Sequence, residues 1–110
     1  MEYDGIPKIN KEYFCRKEYL VSQEELTLLL YGIAHIEDVE WVESIYLKYM
    51  FHDNKWIAFA AISSLGDMAR ISKFHNKHNV INKLKQLEKR NDEYKYRIEN
   101  TLSDINIFEV

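Results

Sequence analysis

Glycine and proline are nearly missing from this chain: three glycines and one proline, Pro7, in 110 residues. That scarcity disfavours a turn-rich β architecture and leaves room for long helices. The one cysteine, Cys15, cannot close an internal disulfide, and without a second thiol there is no Cys-x-x-Cys metal knuckle. It reads as a half-buried small hydrophobe. No apolar run approaches the length that spans a bilayer. The opening "MEYDGIPKIN" is acidic where a secretory signal would be basic and then apolar, so a cytoplasmic protein without membrane contact is expected.

What is present is core-forming material. Hydrophobic residues make up 46% of the chain and aromatics 14%, enough to offset the ordering entropy of one domain but not of two. Net charge is −3, unevenly spread. Residues 1–53 carry 5 basic and 11 acidic side chains, a net of −6, and residues 54–110 carry 10 and 7, a net of +3. Such a split bears on partners and steering rather than on fold.

Apolar residues recur at helical spacing from Ser22 onward, and each recurrence begins at a capping residue. Ser22 with Glu25 forms a capping box, after which Leu26, Leu29, Leu30 and Ile33 line one face to about His35. Asp38 caps a stripe of Val39, Val42, Ile45, Tyr46 and Tyr49. Asp53 is expected to cap a third helix running to about Ser72. Asn76 or Lys77 opens a fourth, striped by Val80, Ile81, Leu84 and Leu87, and Asn91 caps a fifth with Tyr94, Ile98, Leu102 and Ile105. Connections of a few residues make sequential helices antiparallel neighbours. Residues 1–20, with Tyr3, Pro7, Tyr13, Phe14 and Tyr19, fit either one short helix or an arm capping an open end of the core. Residues 21–110 form the helical domain. Leu26, Leu30, Val42, Ile45, Ile57, Ala61, Leu65, Leu84, Ile98 and Leu102 are predicted to be buried.

A repeat underlies this pattern. Placing Leu65 over Leu102 sets Ile57 over Tyr94, Ala61 over Ile98, Gly66 over Ser103 and Asp67 over Asp104, 37 residues apart. Val42 over Ile81 and Ile45 over Leu84 stand 39 apart. Two helical hairpins, 38–72 and 76–108, follow the second half of an earlier one. The small residues of "AFAAISSLG" (Ala58, Ala60, Ala61, Ser64, Gly66) then let the axes of neighbouring hairpins approach closely.

The stretch "VEWVESIYLKYMFHDNKWIAFAAISSLGDMARI" resembles a HEAT repeat in the aspartate between its helices, the β-branched Ile57, the pair Ala60 and Ala61, and the Leu-Gly that follows. It departs at Ala58, where the family usually places an arginine that serves an inter-repeat polar ladder. "YLVSQEELTLLLYGIAHIEDVEWVE", "LGDMARI" and "SDINIF" resemble small bacterial HEAT-like proteins, some of which serve as immunity proteins against polymorphic or contact-dependent toxins. The resemblance covers most of residues 19–108. It implies an all-α, short α-solenoid of antiparallel hairpins and a protein partner.

Catalytic signatures are lacking: no nucleophile elbow, phosphate-cradling glycine loop or HExxH stands in the sequence. No enzymatic activity, cofactor or metal is therefore expected. His75 and His78 share a metal-like spacing but lack a third ligand nearby. Lys73, Lys77, Lys83, Lys85, Lys89 and Arg90 form a basic run, yet the apolar stripe of their helix turns Lys83, Lys89 and Arg90 away from the core, toward a convex side. They read as a solvated face rather than a nucleic-acid contact.

The candidate partner-binding residues are Glu24, Glu25, Glu37, Asp38, Glu40, Trp41 and Glu43, an acidic surface with an aromatic anchor. Carboxylates at helix N-termini also suit the macrodipole, so each has a structural use as well. A cognate toxin, in particular a basic nuclease, is the expected partner of an otherwise monomeric chain, because acidic residues steer such a protein and cover its cleft. A HEAT-type adaptor or assembly factor with another protein partner is the alternative.

Overall fold

The computed structural model describes residues 9–71 and 74–108; Tyr3, Pro7, Ser72 and Lys73 lie outside the described residues. All of the described regular structure is helical. Helix α1 (Lys11–Lys17) opens at Asn10, whose side chain accepts the Tyr13 amide at 2.7 Å. The N-terminal segment therefore includes a short helix. Its one buried side chain is Phe14, whereas the neighbouring Cys15 is exposed. That corrects the half-buried expectation for the thiol: on so short a helix a single side chain reaches the core.

Helix α2 (Gln23–Gly32) carries the full capping box of Ser22 and Glu25, and α3 (Val39–Tyr49) is capped by Asp38, which accepts the Trp41 amide at 3.2 Å. Helix α4 (Lys55–Ile71) begins one residue later than expected. Asn54, not Asp53, accepts the amides of Trp56 (2.9 Å) and Ile57 (3.2 Å), while the Asn54 amide is itself tied to His52 Nδ1 at 2.9 Å. Asn76 caps α5 (Lys77–Arg90). Asn91 departs from expectation: it caps a 3-10 turn, Asp92–Tyr94, by accepting the Glu93 amide, and that turn runs straight into α6 (Lys95–Phe108).

Helix α4 is the centre of the molecule and packs on α2, α3 and α6, while α5 packs on α6 and α3. Helices α4 and α6 run in the same direction, joined at successive points along their length. Gln23 Oε1 accepts Asn54 Nδ2 at 2.7 Å where α2 and α4 begin. Lys55 pairs with Glu93 at 3.1 Å, 38 residues away, and Thr101 Oγ1 donates to the Ile62 carbonyl at 3.0 Å, 39 away. These two contacts between α4 and α6 thus fall one or two residues beyond the 37-residue spacing read from the sequence. Ala58, Ala60, Ala61, Ser64 and Gly66 are all buried. At Gly66 a Cβ would stand 2.9 Å from Asp104 Oδ2 and 3.7 Å from Asp104 Cβ, so α6 passes close by and added bulk would displace the Asp104 carboxylate.

Helix α3 is tied to α2 by Tyr46, whose hydroxyl donates to the Leu30 carbonyl at 2.7 Å. Burial keeps that phenol well above the ordinary tyrosine range. Nine of the ten predicted core residues are buried, and Leu102 is partly buried, because α6 has a packing partner on fewer sides than α4.

Candidate functional site

The seven acidic and aromatic candidates do not form one patch. Glu24 and Glu25 stand exposed in the first turn of α2, with Glu25 Oε1 held to the Ser22 amide at 3.4 Å. Glu37, Asp38 and Glu40 stand exposed beyond the other end, across a ten-residue helix about 15 Å long. Asp38 is engaged twice, as the cap of α3 and as the partner of Lys11 Nζ at 2.9 Å. The Lys11 hydrogen bond, then that of the Trp41 amide, holds its carboxyl below the ordinary aspartate value. Trp41 is half-buried, edge-on to Phe14 at 5.5 Å between ring centroids and covered by Lys11 Nζ at 5.4 Å.

Glu43 is a correction. Expected on the exposed acidic surface, it is 4% exposed and accepts the amides of His75 at 2.9 Å and Asn76 at 3.2 Å. Its position one turn from both Val39 and Tyr46 places it on the inward stripe of α3. There a carboxylate serves the orphan amides at the start of α5.

The basic and histidine candidates remain dispersed. Lys85, Lys89 and Arg90 are exposed, and Arg90 lies over the Phe51 ring at 5.6 Å. His75 Nε2 approaches Glu40 at 3.8 Å. Among the described residues no group of three His, Cys, Asp or Glu side chains is placed to hold a metal ion, and no helix is long and apolar enough to cross a membrane.

A concave feature lies between α1 and α2 that the sequence reading did not single out. A groove of about 380 Å³ is lined by Ile9, Tyr13, Lys17, Val21, Glu25, Leu28 and Leu29, among others. It continues past Ile9 and Asn10 into a second depression of about 360 Å³ that reaches Lys11, Ile36 and Glu37. Glu25 and Glu37, two of the candidates, therefore line two adjoining depressions, together the α1–α2 channel, and each is accompanied by a lysine, Lys17 in the first and Lys11 in the second. Of seven large apolar side chains exposed among the described residues, four (Tyr13, Tyr19, Leu20 and Leu28) belong to this end of the molecule. Arg16 and Lys17 stand over the Tyr13 ring at 5.7 and 5.9 Å. The signal for the channel was the run "LTLLL": four leucines in five positions from Leu26 are more than one inward stripe can absorb, and Leu28 is left outside.

Such an arrangement, an apolar lining interrupted by Glu25 and Lys17 at one end and by Lys11, His35 and Glu37 at the other, is suited to holding another protein's side chains. In comparisons with known proteins, no family model matches this chain, and no curated protein or solved structure matches it significantly.

Proposed function

We propose that this chain is a protein-binding module, a short stack of HEAT-like helical hairpins, that acts as an immunity protein. In this reading it neutralises a cognate toxin, a basic nuclease, by covering the cleft that grips nucleic acid. The observation that carries it is the α1–α2 channel, where Tyr13, Leu28 and Val21 offer apolar contact and Glu25 and Glu37 line its two depressions. A nuclease must present Lys and Arg to phosphates. An acidic partner is drawn to that surface and occludes it without performing chemistry. The packing of α4 against α2 and α6, and of α3 against α4 and α5, supports the hairpin-stack part of the reading. The chain works as a monomer in the cytoplasm, without cofactor, membrane or nucleic-acid contact.

The test is co-expression with the toxin domain encoded by a neighbouring gene. Growth should be restored and the two chains should co-elute. Tyr13→Glu with Leu28→Glu should weaken the complex by about tenfold or more while leaving the melting temperature unchanged, since both side chains are exposed. Rescue that survives the double substitution would move the interface elsewhere. Absence of any rescue or complex, with capture of an unrelated partner through the same channel, would favour the adaptor alternative.

A further inference from the structure

A second surface runs along α4 and α6, away from the channel. Trp56, Phe59, Ser63, Asp67 and Arg70 recur at three- and four-residue steps and so share one stripe of α4. Between this stripe and α6 lies a depression of about 360 Å³. At one end Arg70 bridges Asp67 at 3.4 Å and Asp104 at 3.2 Å, so the cation there is already engaged by two carboxylates. Arg97, which lines the depression nearer the start of α6, is different. Its guanidinium lies 4.0 Å from the centroid of Phe59, and no carboxylate among the described residues pairs with it. Phe59 is gripped edge-on by Trp56 at 5.7 Å and Tyr94 at 5.0 Å, which makes a firm platform. Stacking fixes the plane of a guanidinium and leaves its N–H fork ready for a carboxylate. Trp56, 60% exposed, and Tyr96, 73% exposed, flank it, and Trp, Tyr and Arg are the residue types that dominate interface energies.

We infer that this face is a separate docking surface for a protein segment that presents one glutamate or aspartate to Arg97 and an apolar neighbour to Trp56. Charge complementarity commits the occupant to a single carboxylate rather than a polyanion. A nucleic-acid strand continuing along the depression would bring its next phosphates onto Asp67 and Asp104, about 12 Å further along α4.

The experiment uses the full chain labelled with nitrogen-15 and two probes, acetyl-Leu-Glu-Leu-amide and its glutamine analogue. The glutamate peptide should move the Trp56 indole and Arg97 side-chain resonances at about millimolar concentration. Affinity should drop by about fivefold or more for the glutamine peptide, or for the glutamate peptide with Arg97→Gln, and by less with Arg97→Lys. Arg97 is exposed, so an unchanged thermal melt should accompany each variant. Equal response to the two peptides, undiminished binding by Arg97→Gln, or no response at all would overturn the assignment. Stronger shifts of the same resonances by a short oligothymidylate would overturn it in favour of nucleic acid.

Discussion

Glu43 holds the start of α5 in place from 32 residues away, accepting the His75 and Asn76 amides inside the protein. Glu43→Ala strands those donors and is expected to lower stability by about 1–3 kcal/mol, whereas Glu43→Gln keeps one acceptor oxygen and should lose less. Urea unfolding midpoints of the two variants check the order; no loss in Glu43→Gln would mean that the side chain acts only by packing, and equal losses that a single neutral oxygen cannot replace the carboxylate. Caps such as Ser22, Asp38 and Asn76 were legible because each bonds an amide three residues on, a distance the sequence displays. The target of Glu43 is set by tertiary packing, so its burial could be recognised only as a charge on an apolar stripe. Asn54 was displaced by Asp53 in the reading because both are good caps, and only the backbone turn through His52 decides between them.

At the scale of elements, α4 is held between neighbours that leave no space around its small side chains. Ala61 is fully buried, and Ala61→Leu should cost about 1–3 kcal/mol through overpacking. An unchanged melting temperature would remove the close approach of α4 to its neighbours as an explanation of its composition. The period and the small-residue stripe were readable because they repeat. The channel was not, since its floor depends on how α1, too short for a strong pattern, settles against α2. What fastens α1 is a cluster at its C-terminal end: Lys48 Nζ donates to Glu18 at 3.0 Å and to Tyr19 at 2.6 Å, and Tyr49 donates its hydroxyl to Glu18 at 2.6 Å. The Tyr19 hydrogen bond, then the Glu18 contact, raises Lys48, while burial and then donation to Glu18 raise Tyr49. Both groups favour their protonated forms in the fold. Their contribution is therefore complete below the ordinary values near pH 10 and fades as pH rises beyond them. The advantage in melting temperature of the native chain over Glu18→Gln should shrink from about pH 8 to about pH 11. A constant difference would show that the cluster does not tie α1 down through these protons.

For the molecule as a whole, charge and shape bear on encounter more than on stability. The radius of gyration is 13.5 Å, close to the roughly 13 Å expected of a compact chain of this length. In a molecule of this size, recognition of a partner as proposed would rest on local features such as the α1–α2 channel. Of the acidic candidates, Glu24, Glu37 and Glu40 are exposed and free of the internal roles that Glu43 and Asp38 fill. Replacing these three by lysine should lower the melt only slightly, through the helix-dipole contacts of Glu24 and Glu40, and slow association with the proposed toxin partner by about tenfold at low salt. The deficit should shrink as salt is raised, because screening acts on the approach of the two proteins and not on their seated contacts. Leu28→Ala, which removes apolar contact from the channel without touching charge, should act on the dissociation rate instead. Stopped-flow kinetics at two ionic strengths separates the two effects. Wild-type association by the triple-lysine variant at low salt would show that Glu24, Glu37 and Glu40 do not steer the partner, and would leave the residues lining the channel as the basis of recognition.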